Sequence, residues 1–324
     1  MTNFKNLRAW CLTDGSAGMI SQVKGLADAL NLNFEQKTID LKFPWNKLPV
    51  GILPPSKIIF NNYRHISLEN NIPPDIIISC GKRSIYASLH LKKSLKDKVF
   101  SIHIQNPKIN PAHFDLVVAS AHDDLKGKNV LQTDLALNHI NKSLLSKEAE
   151  LYAAQFSKIE KPICAIFLGG QNRNYRFDIS VVKVLADQVD KIIKNNDIQL
   201  YILFSRRTDQ FIIEYLKERF LDQNIIWNGE GNPYLALMKF SKYLICTADS
   251  VSIISESISS TKPVYIFRLP SLKKNNRIEK FITMLLQKNY ARLLGEKLED
   301  FTNSYENETF QVARMIEERY NKKA

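Results

Sequence analysis

Short apolar runs alternate with amphipathic stretches along almost the whole chain. In the first half, residues 7–13, 57–61, 75–80, 99–105, 114–119 and 129–132 read as strands. After the first run, Met19, Ile20, Val23, Leu26, Ala27 and Leu30 recur at the three-and-four spacing of a helix over 17–30, and 84–96 reads as another. A polar helix over 144–158 follows, and the pattern then restarts. Residues 163–168, 200–205, 224–227, 243–247 and 264–267 predict strands, with helices over 178–195, 208–221, 233–240, 250–260 and 276–288 between them. Runs such as ICAIFL and YILF are continuously apolar, as parallel strands covered on both faces require. An amphipathic helix over 306–322 closes the pattern. The expectation is a chain of two consecutive α/β domains, 1–160 and 161–305, with a final helical segment 306–324.

The stretch 41–56, LKFPWNKLPVGILPPS, breaks the alternation. Its four prolines, single glycine and lack of periodicity predict a loop. It is rich in apolar side chains for a loop: Phe43, Trp45, Leu48, Val50, Ile52 and Leu53. Those side chains could pack on their own domain or face an apolar acceptor, a partner or a membrane.

A length of 324 residues, 44% of them hydrophobic, supports two cores and excludes a disordered chain. No apolar run is long enough to span a bilayer, and the first residues lack the apolar core of a signal peptide. A soluble, cytoplasmic protein is expected. The formal charge of +12 divides evenly, since residues 1–160 carry 20 basic and 14 acidic side chains and 161–324 carry 25 and 19, or +6 each. No basic tail exists, so nucleic acid is not an expected partner, whereas a preference for anionic ligands is. The densest cluster, Lys92, Lys93, Lys96 and Lys98, falls at a predicted helix end, where lysines suit the dipole and solvent. Cys11, Cys80, Cys164 and Cys246 show no C-x-x-C spacing and read as buried thiols.

In open parallel sheets, ligands bind beyond the carboxyl ends of the strands, so polar and glycine residues there are the candidates for chemistry. The first end is Thr13-Asp14-Gly15-Ser16-Ala17-Gly18, where Gly15 and Gly18 would let backbone approach a ligand and the helix start would favour an anion. It also suits an ordinary turn capped by Ser16. Gly81, Lys82, Arg83 and Ser84 form a second such turn. His103, with Gln105 and Asn106, ends another strand, and His122 with Asp123 follows LVVAS. All six histidines precede residue 140, so an imidazole base would come from the first domain, with His103 and His122 best placed and a structural role open for each. In the second domain, Gly169 and Gly170, then Ser205, Arg206, Arg207 and Thr208, then Asp249, Ser250 and Ser252 offer the backbone donors, hydroxyls and cations that a diphosphate needs. Glu256, one turn into the following helix, could accept from both ribose hydroxyls. No G-x-S-x-G, H-E-x-x-H, Walker or D-x-D pattern is present, so no metal site is expected.

Seven runs together, WCLTDGSAGMISQVKGLADAL, PDIIISCGKRS, IHIQNP, FDLVV, HDDLKGKNV, LGGQNRNY and TADSVSIISES, resemble the ELM-type mitochondrial-fission family of plant proteins and proteobacterial homologues, over most of 8–270. That family is similar in turn to GT-B-type glycosyltransferases. The resemblance implies two Rossmann-like domains facing a cleft, with the nucleotide-sugar donor on the second domain and the acceptor and base on the first. It maps phosphate and ribose binding onto Ser250, Ser252 and Glu256. The high Lys, Asn and Ile content suggests a bacterial genome of low GC content. The leading expectation is a metal-independent glycosyltransferase with no cofactor. It would move a sugar from a nucleoside-diphosphate sugar to a cell-envelope acceptor, at the inner-membrane periphery. Asp14, His103 or His122 would act as the acid–base group, and Arg206 or Arg207 would stabilise the departing diphosphate. The alternatives are a nucleotide-sugar epimerase or hydrolase, and a non-catalytic scaffold that binds a partner or membrane through 41–56.

Overall fold

The computed structural model describes residues 2–220 and 225–323, which form two compact units. Residues 221 and 224, at the ends of two predicted elements, lie outside the described residues. The first unit comprises Met1–His139 and Asn307–Ala324, the second Ile140–Glu306.

The first unit contains β1 (Arg8–Thr13), α1 (Ala17–Ala29), β2 (Asn33–Thr38), β3 (Ile76–Cys80), α2 (Lys82–Leu95), β4 (Phe100–Ile104), β5 (Leu116–Ser120) and β6 (Val130–Thr133). The second contains α3 (Lys142–Phe156), β7 (Ile163–Leu168), α4 (Ile179–Asn195), β8 (Gln199–Phe204), α5 (Gln210–Phe220), β9 (Ile225–Ile226), α6 (Tyr234–Phe240) and β10 (Ser241–Thr247). It continues through α7 (Val251–Ser259), β11 (Val264–Phe267), α8 (Arg277–Gln287) and β12 (Arg292–Leu293), after which α9 (Thr309–Lys323) belongs again to the first unit.

Every pairing between these strands is parallel. The first sheet runs β2-β1-β3-β4-β5-β6 and the second β12-β11-β10-β7-β8-β9. Counted within its own unit, the second sheet has the 3-2-1-4-5-6 order of a doubly wound dinucleotide fold, and the first begins in the 2-1-3-4-5 order of its common variant. The chain reverses its direction across the sheet between β1 and β3 in one unit, and between β7 and β10 in the other.

The apolar pattern explains the layers. In β3, Ile76, Ile78 and Cys80 pack with Val23 and Leu26 of α1 and with Leu30 just after it, while Ile77 belongs to the cluster on the other side, with Trp10, Tyr86 and Leu91. The period of two thus feeds both faces, and all five residues are buried. α9 also covers the α1 side: Val312, Ala313 and Ile316 are buried there, and Tyr320 meets Phe4 and Phe100 edge-on at 5.2 and 5.4 Å.

Three expectations are corrected. The unit boundary is at 139/140 rather than near 160, because α3 packs on the second unit: its Phe156 stacks on Phe240 at 4.8 Å and meets Tyr201 at 5.7 Å. The final helix is no separate segment but part of the first unit's core. Residues 57–61 form a short 3-10 turn at Lys57–Ile59 instead of a strand, with a lone antiparallel bridge between Leu41 and Phe60. Pro54 and Pro55 just before it offer no N–H to a ladder. Two strands, β2 and β12, escaped the apolar pattern because both are edge strands with largely polar or exposed residues.

Gly25 shows how closely α1 lies on its unit. A Cβ there would stand 2.5 Å from the backbone carbonyl carbon of Asn138, which cannot yield as a side chain could. Gly25→Ala is therefore expected to cost about 1–3 kcal/mol, the usual penalty of overpacking. Urea unfolding followed by circular dichroism checks it; an unchanged midpoint would contradict this packing.

Candidate functional site

The carboxyl ends of the strands carry the polar residues in both units. In the first unit, Asp14 and Gly15 leave β1 as a tight turn: Asp14 Oδ1 accepts from Ser16 N at 3.0 Å, and Gly15 N donates to Thr13 Oγ1 at 3.1 Å. Gly15 has φ +86°, a conformation suited to glycine. Ser16 precedes α1 without a side-chain cap bond, so its expected capping role is not seen. Gly18 lies in the first turn itself, its carbonyl accepting from Gln22 Nε2 at 3.0 Å. On the neighbouring strand end, Gly81 also has φ +86°, and a Cβ there would fall 2.3 Å from Met19 Sδ of α1. The β1 and β3 turns thus meet at the point where the sheet order reverses, and Asp14 stands there, half-buried.

His103 is corrected. It occupies the fourth position of β4, is 1% exposed, and stacks on Phe114 at 4.9 Å. Its Nδ1 shares a 2.9 Å hydrogen bond with Ser79 Oγ. Burial pushes its pKa down to about 3. This is a neutral core imidazole inside the sheet rather than a base at the strand end. His122 is half-buried in the turn after β5. Adjacent strands lie about 4.8 Å apart, so β1 and β5, three steps apart in the sheet, separate Asp14 and His122 by roughly 14 Å. The first-unit candidates do not converge.

The second-unit candidates do, around Asp249. Its side chain is fully buried. Oδ1 accepts from Thr247 Oγ1 at 2.6 Å, and Oδ2 accepts from Gly170 N at 3.1 Å and from Arg207 Nη2 at 2.7 Å. Arg207 Nη1 also donates to the Gly170 carbonyl at 3.1 Å. Gly169 N donates to Thr247 Oγ1 at 2.9 Å, and Thr208 Oγ1 donates to the Gly169 carbonyl at 2.6 Å. Ser205 N donates to Thr208 Oγ1 at 3.0 Å. The ends of β7, β8 and β10 are therefore tied into one network.

This assigns several candidates a different task from the expected one. Gly169 and Gly170 make room for the protein itself: a Cβ on Gly169 would lie 2.1 Å from the Asp249 carboxylate, and one on Gly170 would lie 2.0 Å from the Arg207 carbonyl oxygen. Asp249, Arg207 and Thr208 hold turns together, and Arg207 spends its charge on Asp249. What remains outward is Arg206, exposed beside the network and in no ion pair among the described residues, together with the half-buried Ser205, Ser250 and Ser252. Ser250 caps α7, its Oγ accepting from Ile253 N at 3.4 Å. Glu256 sits in the second turn of α7, 7% exposed, and its Oε2 accepts from Tyr234 Oη at 2.7 Å. Burial first, and then the Glu256 charge, hold the Tyr234 phenol far above its ordinary value, so it donates to Glu256 as a neutral hydroxyl.

Composition alone did not point to Tyr234, nor to Tyr175, whose Oη donates to Glu279 Oε1 at 2.6 Å beside Arg268. Tyr175 at least lay in the LGGQNRNY run. All four cysteines are free and buried. Cys246, pushed up to about 12 mainly by burial, lies 3.2 Å from Ser257 Oγ. Among the described residues, no group of three His, Cys, Asp or Glu side chains is placed to hold a metal ion. No helix there is long and apolar enough to cross a membrane.

The family model described as mitochondrial fission ELM1 matches residues 17–320. The chain belongs to the mitochondrial fission ELM1 family. Within reach of that family, "Uncharacterized protein RP120" of Rickettsia prowazekii (strain Madrid E) is 27% identical, covering 96% of this chain and 98% of its own length. The mitochondrial fission protein ELM1 of Arabidopsis thaliana is 27% identical over 60% of this chain, which spans about half of that protein (51%). Among solved structures, the UDP-GlcNAc 2-epimerase of Methanocaldococcus jannaschii, in complex with UDP-GlcNAc and UDP, superposes with a TM-score of 0.56 at 13% identity, covering 96% of this chain and 99% of that one. Acinetobacter baumannii MurG superposes with a TM-score of 0.50 at 12% identity, covering 98% and 94%. These ELM1-family units therefore share the GT-B fold of glycosyltransferases and epimerases.

Two outcomes follow from this geometry. Asp249→Ala strips the network of its shared acceptor and should cost about 3 kcal/mol, while Arg206→Ala, exposed one residue away, should change stability by less than about 0.5 kcal/mol. Thermal unfolding of the two variants checks the contrast, and equal effects would contradict it. For His103, an unfolded imidazole titrates near 6.5 and the folded one at about 3. Between those values the unfolded chain holds a proton that the native state does not, so this group lowers stability as pH falls from about 6.5 towards 3, and has no such effect above. His103→Gln removes that dependence, so the stability advantage of the native sequence should shrink by up to about 1.4 kcal/mol per pH unit on going from pH 7 to 4. Parallel pH profiles would show that His103 is not buried in its neutral form.

Proposed function

We propose that this ELM1-family protein is a metal-independent glycosyltransferase: it binds a nucleoside-diphosphate sugar on the second unit and passes the sugar to a hydroxyl-bearing acceptor of the cell envelope. The observation that carries the reading is the place of the polar residues. Gly169–Gly170 and Asp249–Ser252 stand at the ends of β7 and β10, the two strands between which the sheet order reverses. Open α/β sheets open a crevice for ligands at such a point. α7 begins there with the positive end of its dipole, flanked by Ser250, Ser252 and the exposed Arg206, which makes no ion pair among the described residues. That combination suits a diphosphate. Glu256, held by Tyr234, suits the ribose hydroxyls as a double acceptor. The structure solved with UDP-GlcNAc and UDP shows that a protein of this fold can hold such a nucleotide.

In the proposed transfer, the acceptor oxygen attacks the anomeric carbon and the bond from that carbon to the diphosphate oxygen breaks. The acceptor proton passes to Asp14, the half-buried carboxylate at the end of β1, and the nucleoside diphosphate leaves with its charge stabilised by α7 and Arg206. His122, in a strand-end turn of the same unit, is the second candidate for that proton.

Titration calorimetry with UDP, GDP, CMP and ADP sugars tests the binding step. At least one should bind, and Glu256→Gln should weaken it about 10-fold, the loss of roughly 1.4 kcal/mol. Absence of binding by every donor at millimolar concentration would overturn the proposal. Conversion of donor alone, with no acceptor present, would replace transfer by epimerisation or hydrolysis.

A further inference from the structure

The apolar connection between β2 and β3 has two sides. Its base is closed where Lys42 N donates to the Ile59 carbonyl at 2.8 Å, next to the Leu41–Phe60 bridge. Its interior is tied where Trp45 Nε1 donates to the Pro54 carbonyl at 3.3 Å, and where Lys47 N and Leu48 N donate to the Pro44 carbonyl at 2.9 and 3.0 Å. Trp45 and Val50, partly buried, pack against the core cluster that contains Trp10, Leu12 and Tyr86. Tyr86 Oη donates to the Pro49 carbonyl at 3.4 Å. The segment is therefore a held loop with a packed inner side.

Its outer side is apolar as well. Phe43 is 77% exposed, Ile52 60% and Ile58 65%. Phe43 and Ile58 flank the Lys42–Ile59 hydrogen bond, so they stand beside one another. Folding gains nothing from leaving three large side chains in water on a loop otherwise fixed to the core. The charge of the segment itself has one sign: from 41 to 68 there is no Asp or Glu, while Lys42, Lys47, Lys57 and Arg64 are present. The start of α2 adds Lys82 and Arg83. Lys82 Nζ donates to the Asn46 carbonyl of the loop at 3.4 Å. Burial first, and then Arg83 and Lys47, hold Lys82 below its ordinary value, which places these three cations close together. The nearby acid is Asp40, already in contact with Arg83 at 3.4 Å.

We propose that the 41–60 loop docks the first unit on an anionic lipid bilayer, with Phe43, Ile52 and Ile58 entering the headgroup–acyl boundary and Lys42, Lys47, Lys57 and Lys82 meeting lipid phosphates. Exposed apolar side chains on a segment whose only charges are cations match a surface that is negative outside and apolar beneath. A protein partner with an apolar patch would not need so consistent a lack of carboxylates. The contact does not depend on any sugar transfer. Its natural consequence is that an acceptor carried by the same bilayer would be met at short range.

Vesicle co-sedimentation of the full chain without nucleotide tests this, using phosphatidylcholine alone and phosphatidylcholine with about 30% phosphatidylglycerol. The protein should sediment with the anionic vesicles at least about 10-fold more strongly than with the neutral ones, and less so as salt is raised. The Phe43→Ser/Ile52→Ser/Ile58→Ser variant should lose at least about 10-fold of that binding, and Lys47→Ala/Lys57→Ala should lose a salt-sensitive part. Ile52→Ser/Ile58→Ser, which leaves Phe43 in place, gives an intermediate loss and guards against a folding defect, as does an unchanged melting curve. No binding of the native sequence to anionic vesicles, or equal binding by a normally melting triple variant, would overturn the proposal.

Discussion

At the carboxyl end of the second unit's sheet, the polar groups are organised by one buried carboxylate. A charge in that position is costly unless it is fully bonded, and Asp249 meets the requirement by gathering a hydroxyl from β10, an N–H from the turn after β7 and a guanidinium from the turn after β8. Each partner comes from a different strand end, so satisfying the charge also fixes the three turns relative to one another. The glycines at 169 and 170 follow from the same constraint, because any side chain there would occupy the space of the carboxylate or of the Arg207 backbone. Once these turns are fixed, the start of α7 is held at the reversal point of the sheet.

The first unit is built on the same sheet plan but leaves its reversal point looser. Two positive-φ glycine turns meet there, and among the described residues the Asp14 side chain accepts only from the nearby Ser16 N–H. The buried polar pair Ser79 and His103 lies within the sheet rather than at its end. One unit thus has its strand-end turns tied together by a single buried carboxylate. The other offers a half-buried carboxylate and, on the β2–β3 connection, an apolar and cationic outer face.

Much of this was legible in the residues. Continuous apolar runs such as ICAIFL can only be central parallel strands, and β7 is buried at all six positions. Helical spacing placed α1, α4, α7 and α8 well. β2 was not legible, since NFEQKT reads as polar: as an edge strand it buries only Lys37, whose ammonium lies 4.2 Å from the centre of the Trp10 ring. The domain boundary was misplaced because helical periodicity says that a helix has an apolar face, not which unit covers it. At the site, residue types identified the right turns and misjudged their tasks. Arg207 and Arg206 look equivalent in sequence, yet one neutralises Asp249 and the other faces water. His103 shares the strand-end position of a catalytic imidazole only until its burial is known.

The central claim is that the strand-end surface of the second unit is already shaped for a nucleoside diphosphate. Amide hydrogen exchange with and without saturating UDP tests it directly, because the method reports each turn separately. The account predicts slowed exchange at 169–172, 205–208 and 250–253, with the amides of 41–60 unchanged. Uniform exchange in the second unit, or protection confined to the first, would contradict it.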